Sequence, residues 1–295
     1  MVKTRIEAIL NTVKLTVGKV KERLRSGHAG SIIFSCICVA LIIAVAVILC
    51  TVPGHKGHVT GTGLLLDPGA WKKNENGFRY YDKEGYVNNF GIDVSEWVED
   101  IDFRALKRSG VDFVIFRVGY RGYETGKFVL DNNLSTYLKQ ASRAGLKMGA
   151  YFVSQAVSKE EAEEEAQFVM AHVRGYDMEM PLYIDLEEVY DTARTDSLTV
   201  KQRTDIILAF CNTVEENGYR GGVYANEVWF TDKMEFDKIS QFDIWLARYK
   251  ETLITDLPVN MWQYTDQGVV EGTPMWVDLN TRVSIEQTET ETESK

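Results

Sequence analysis

From residue 90 onward the chain alternates short apolar runs with amphipathic stretches that end in glycine. The apolar runs fall at 90–94, 113–118, 148–152, 181–186, 222–225, 244–246, 261–264 and 276–279, and each has the length and bounding residues of a strand. Amphipathic stretches at about 100–109, 131–144, 158–174 and 199–217 separate the first five runs and stop at Gly110, Gly145, Gly175 and Gly218, where a helix would leave through a left-handed residue. Ser158 with Glu161 and Thr199 with Gln202 have capping-box spacing. Such alternation selects an α/β architecture built on a parallel sheet. The later runs follow one another too closely for full helices. The expected fold is therefore a (β/α) barrel of about eight strands with few helices in its second half.

A second constraint lies upstream. Residues 31–52, SIIFSCICVALIIAVAVILCTV, carry no charge, and roughly 20 apolar residues in a helix cross ~30 Å of hydrocarbon. A cleaved signal peptide would have an apolar region of only ~7–15 residues and a small-residue cleavage site. The sequence favours one retained N-terminal transmembrane helix. Lys3, Arg5, Lys14, Lys19, Lys21, Arg23 and Arg25 precede it, which predicts a cytoplasmic N-terminus and an extracellular C-terminal bulk in a single-pass cell-membrane protein. Seven of the 33 basic and two of the 43 acidic residues precede the run, so 26 bases and 41 acids lie beyond it, a formal charge of −15. That balance speaks against a nucleic-acid partner.

The expected organisation is a basic cytoplasmic segment (1–30), the span (31–52), a linker with a short aromatic hairpin (53–88), a catalytic barrel (89–284) and a disordered acidic tail (285–295). The hairpin run, WKKNENGFRYYDKEGY at 71–86, resembles one copy of the aromatic and glycine repeats of cell-wall-binding modules. A single copy has no neighbour on which to bury its aromatic face, so packing against the barrel is expected, with wall binding as the alternative. Only Cys211 lies beyond the span, and apolar neighbours make it a buried, inert thiol.

Four histidines narrow the chemistry. His28 precedes the span, His55 and His58 are in the linker and His172 is on a predicted helix. Histidine-activated nucleophiles and histidine-based zinc sites are thereby disfavoured, and no metal or organic cofactor is indicated. Carboxylates remain at the strand ends, where barrel loops build active sites: Asp93 in GIDVS, Asp185 and Glu187 in YIDLEE, and Asp278 in VDLN. Asp185 and Glu187 stand two apart on one strand and so share a face. Close acids cannot both ionise freely, which leaves a proton available near neutrality for a glycosidic oxygen. Any one such acid could instead be a cap or a solvated loop residue. Aromatics at the strand ends, Trp97, Tyr120, Tyr151, Tyr224, Trp245, Tyr249, Trp262 and Tyr264, are candidates for stacking on sugar rings.

Taken in order, FGIDVSEW, VIFRVGY, GAYFVS, PLYIDLEE, GGVYAN, IWLARY, MWQYTDQG and VDLN resemble the strand motifs of the glycoside hydrolase family 25 lysozymes from about residue 90 to 280. The resemblance implies an eight-stranded β/α barrel. It also implies an N-acetylmuramidase that cleaves the β-1,4 bond between N-acetylmuramic acid and N-acetylglucosamine in peptidoglycan. By that similarity Glu187 is the general acid and base, Asp185 orients the substrate's own N-acetyl group in a retaining, substrate-assisted mechanism, and Asp93 and Asp278 hold sugar or water. Direct attack by Asp185 stays open. A non-catalytic glycan-binding module, a chitinase-like glycosidase and a scaffolding role are the rival readings.

Overall fold

A computed structural model of the chain describes residues 63–189 and 192–286. The basic segment 1–30, the apolar run 31–52, linker residues 53–62 and tail residues 287–295 lie outside the described residues, so the expected membrane helix falls there too. Among the described residues, no helix is long and apolar enough to cross a membrane.

Eight strands close into a barrel: β3 (Tyr86–Val94), β4 (Phe113–Arg121), β6 (Lys147–Val153), β7 (Leu182–Asp185), β8 (Gly221–Asn226), β9 (Asp243–Ala247), β10 (Met261–Gly268) and β11 (Val277–Ile285). They follow one another around the wall, except that β11 inserts between β10 and β3, and the β3–β4 pairing completes the circle. A short strand, β5 (Phe128–Leu130), hangs antiparallel on the end of β4. Seven barrel strands are mutually parallel. β11 is antiparallel to both its neighbours. This departs from the expectation of acids at the C-terminal ends of strands: Asp278 lies at the start of a reversed strand, and reversal brings it opposite Asp93.

The helices are α1 (Phe103–Arg108), α2 (Leu134–Ala144), α3 (Lys159–Val173), α4 (Val200–Glu216) and the single turn α5 (Phe236–Ile239). All four glycines read as stops have positive φ, between 70° and 96°. Thr199 and Gln202 form a complete reciprocal cap on α4. The box on α3 is only half made: Ser158 accepts from the Glu161 amide, while the Glu161 carboxylate turns to the Val157 amide and to Arg194.

Alternation along each strand divides two cores. Outward side chains pack under the helices in the larger one. Inside the barrel, Phe113, Ile115, Met180, Tyr183, Trp245 and Met261 fill the lumen. The filling is tight enough that a Cβ on Gly222 would stand 2.3 Å from the Tyr183 ring. The lumen is therefore a solid floor, as in other small parallel barrels.

No full helix covers β10 and β11. The hairpin of β1 (Trp71–Lys73) and β2 (Arg79–Tyr81) does so instead. Trp71 packs edge-on to Trp262 with ring centres 4.7 Å apart, Phe78 stacks on Phe90 at 4.9 Å, and Thr281 donates its hydroxyl to the Arg79 carbonyl. Trp71, Phe78 and Tyr81 are all buried. The aromatic face that resembled a wall-binding repeat is thus consumed by the barrel. Replacing Trp71 with alanine is expected to lower the unfolding free energy by ~3 kcal/mol, as other buried Trp truncations do. Urea denaturation measures it; a loss under about 0.5 kcal/mol would mean that the hairpin is not part of the core.

Candidate active site

At the end of the barrel where the parallel strands finish, the inward residues change from apolar to acidic. β3 delivers Asp93, β7 delivers Asp185, the turn after β7 delivers Glu187, and β11 delivers Asp278. In the circular order β11 stands four strands from β7 in either direction. Asp93 and Asp278, on neighbouring strands, therefore form one wall of the mouth, and Asp185 with Glu187 forms the facing wall.

Asp93 is held by amides. Its Oδ2 accepts from Gln263 Nε2 at 2.9 Å and Asn280 Nδ2 at 2.7 Å. Those amides are fixed in turn, because Tyr224 and Tyr249 donate their hydroxyls to Gln263 Oε1 at 2.8 and 3.0 Å, and Trp245 Nε1 donates to Asn280 Oδ1 at 2.8 Å. Burial still outweighs these bonds and pushes the Asp93 carboxyl up to about 6. Asp278, half-buried and facing the Asp93 charge, is pushed up to about 9.

Asp185 has no such support. It is buried, and its Oδ1 has no hydrogen-bond partner. Burial first, and then the charges of Glu187 and Asp93, raise its carboxyl well above the usual range, with Arg117 opposing. Burial also raises Glu187, again against Arg117, although the Glu187 side chain stays open to solvent at the rim. The site thus keeps Asp278 protonated at neutral pH, raises Asp185 and Glu187, and leaves Asp185 Oδ1 as a buried acceptor without a partner among the described residues.

The aromatics divide by strand face. Tyr151 and Tyr224 point inward and pack on Trp245 at 6.0 and 4.5 Å. Tyr249 is partly exposed beside them, and Tyr120 lies half-buried with the Arg117 guanidinium 5.8 Å from its ring centre. Trp245 itself is 1% exposed; it props Asn280 from below and has no free face for a sugar. Trp262 and Tyr264 correct the sequence expectation outright. Both are outward residues of β10, packed on each other and under the hairpin, because their strand neighbour Gln263 takes the inward position between them. With Tyr249, the aromatics exposed at the mouth include Trp97, 74% exposed just after β3, and Trp276, 62% exposed just before β11. Trp97 stands where the sequence placed a candidate stacking residue, after the first strand, whereas Trp276 had not been singled out. Gln263, Asn280 and Arg117 were also missed, although each is a polar residue inside an apolar strand, which is the signal that could have found them.

The profile of the glycosyl hydrolases family 25 matches residues 92–273, from the strand of Asp93 to the loop before β11. The chain belongs to family 25. An autolytic lysozyme of Clostridium acetobutylicum is 24% identical over 191 residues, which are 64% of this chain and 54% of that protein. This chain therefore spans about half the length of that curated relative. The modular autolysin LytC of Streptococcus pneumoniae, solved in complex with a synthetic peptidoglycan ligand, superposes with a TM-score of 0.61 at 22% identity over 75% of this chain and 52% of that one. A bacterial lysozyme from Streptomyces coelicolor gives 0.58 at 21% identity over 69% and 94%. At these identities the superpositions establish a shared barrel.

A stability consequence follows from Asp185. Its carboxyl is protonated in both folded and unfolded chains well below pH ~4, but on raising the pH the unfolded chain ionises first. Because the folded value is raised, folding loses stability as pH climbs from the ordinary carboxyl range toward that value. Asp185→Asn should therefore lose less stability than the parent as the pH climbs above the ordinary carboxyl range. Thermal or urea unfolding over that climb checks the sign, and parallel curves would mean that the carboxyl is not protonated in the fold.

Proposed function

We propose that this family 25 protein is a peptidoglycan hydrolase, an N-acetylmuramidase acting on the β-1,4 bond between N-acetylmuramic acid and N-acetylglucosamine. The observation that carries the reading is the mouth itself, with Asp93 and Asp185 buried, Asp278 half-buried and Glu187 open at the rim on facing walls, and an unpartnered Asp185 oxygen. Glu187, at the rim and raised in pKa, gives its proton to the glycosidic oxygen as the C–O bond breaks. The substrate's 2-acetamido carbonyl oxygen attacks the anomeric carbon from the other face. Asp185 supplies the acceptor for the acetamido N–H and the negative charge for the cation that forms. Water then opens the ring intermediate, with Glu187 taking its proton, and the configuration is retained. Asp93 and Asp278 hold sugar hydroxyls or water on the opposite wall. Trp97 and Trp276, rising beyond those two acids, offer stacking faces to the glycan strand.

The membrane placement belongs to the same proposal. The uncharged run 31–52 and its basic flank support a barrel tethered outside the cell, where the tether, and not charge attraction, keeps it near the wall.

The test uses the full chain in detergent and its Glu187→Gln variant on purified peptidoglycan, with muropeptides identified by mass. The parent is expected to release fragments ending in reducing N-acetylmuramic acid, and the variant to be slower by at least about a hundredfold. Binding without cleavage by the parent would replace the enzyme with a glycan-binding module. Cleavage of chitin in preference to peptidoglycan would make it a chitinase-like glycosidase.

A separate outcome is expected for the far wall. Trp276→Ala should raise KM for polymeric glycan about fivefold, the equivalent of ~1 kcal/mol, with kcat nearly unchanged. Steady-state kinetics on soluble glycan chains measure it, and an unaltered KM removes Trp276 from the binding surface.

A further inference from the structure

Arg117 is a guanidinium on the inner face of β4, between the strand that carries Asp93 and the strand next to Asp185. It is anchored from behind before any substrate arrives. Its Nε donates to Asp131 Oδ2 at 3.0 Å and its Nη2 donates to Glu96 Oε1 at 2.9 Å. The two acids are themselves fixed: Asp131 Oδ2 also accepts from the Glu96 amide at 2.8 Å, and Asn132 Nδ2 donates to Glu96 Oε2 at 2.6 Å. The Arg117 and Asp131 side chains are 10% and 2% exposed. A long side chain held at both ends of its fork has little rotamer freedom left to lose when a substrate binds.

The groups around the acid pair give this cation its importance. Asp185 meets Glu187 from its own segment and Asp93 from β3, while Tyr151 on β6 and Tyr224 on β8 sense its charge. Glu187 in turn acts on Asp278 of β11 and on Tyr224. Burial and every one of these neighbouring acids favour the protonated carboxyls. Among the described residues, Arg117 is the group that favours ionisation of the pair, and it acts on both members.

The proposed reaction needs the pair in a mixed state. One carboxyl must carry the proton for the leaving oxygen, and the other must carry the charge that balances the acetamido cation. We propose that Arg117 is a positioning residue for this reaction, clamped by Glu96 and Asp131 as the fixed cation that keeps one member of the Asp185–Glu187 pair ionised while the other holds its proton. This rests on the hydrolase reading for its consequence in catalysis, while its electrostatic part rests on the place of the clamped guanidinium on the inner wall of the mouth and its pull on both carboxyls.

The experiment therefore has two readouts on the full chain: carboxyl titration of Asp185 and Glu187 by ¹³C NMR without substrate, and the pH dependence of kcat/KM on soluble glycan. A nearby cation lowers a carboxyl pKa, so its removal raises it. Arg117→Gln should move the acidic limb of the rate profile and the pair's titration to higher pH by about one unit, and cut kcat/KM on the acidic side about tenfold, mostly through kcat. Arg117→Lys keeps the charge and should bring both readouts most of the way back. Glu96→Gln removes a counter-charge outside the cavity wall while Asp131 still holds the guanidinium, so it should move both readouts the opposite way. It also decides the matter if Arg117→Gln does not fold. Parental titration in a folded Arg117→Gln protein, or an upward shift in Glu96→Gln, overturns the proposal. If the parent cleaves no glycan, the hydrolase reading falls and the titrations still decide the role of the charge.

Discussion

The pairing of β11 with β3 is the contact on which the rest of the molecule depends. Eight residue pairs run from Asp278 opposite Asp93 to Ile285 opposite Tyr86, so one antiparallel ladder closes the barrel and assembles half of its mouth. A strand that entered parallel, after a crossover helix, would have delivered its first residues to the floor. Reversal lets a short hairpin connection suffice and puts Asp278 and Trp276 at the open end. It also removes the helix that would have covered β10 and β11. The β1–β2 hairpin fills that place with Trp71 and Phe78, which explains why a segment before the barrel is tied to a strand pair near its C-terminal end.

The same closure explains how far the sequence could be read. Strand positions, the four capped or glycine-stopped helices and the inward Asp185 were legible because each rests on local periodicity, two for strands, 3.6 for helices, and a left-handed residue at the stop, whereas Glu187 lies past the end of β7 and reaches the rim from the turn. Strand direction has no local signature, so the reversed sense of β11 was not legible. The parity of β10 was hidden for a related reason. MWQY is apolar at three of four positions, and such a run does not say which alternate residues face the lumen. Gln263 settles it in the structure, since its amide is needed at Asp93, and Trp262 and Tyr264 must then face outward. The hydrogen bonds of Gln263 and Asn280 to Asp93 join residues 170 and 187 positions apart, and no spacing rule reaches across that distance.

The two walls of the mouth solve the problem of buried carboxylates in different ways. Asp93 receives two amide donors, each oriented by an aromatic hydroxyl or indole N–H, and yet its carboxyl is pushed up to about 6. Neutral donors therefore reduce the desolvation cost without cancelling it. Among the described residues nothing donates to Asp185 Oδ1, and the charge of Arg117 works in favour of the ionised form. A wall held by amides is rigid and complete, suited to fixing hydroxyls or water. A wall with a bare acceptor and a clamped cation behind it is incomplete in a directed way, because the missing partner must bring an N–H to Asp185 Oδ1 and tolerate, or acquire, positive charge. An acetamido group that becomes cationic as it attacks its own anomeric carbon meets both demands. A simple hydroxyl brings a donor but acquires no such charge, so on the proposed reading the asymmetry between the walls suits an acetamido sugar better than an unsubstituted one.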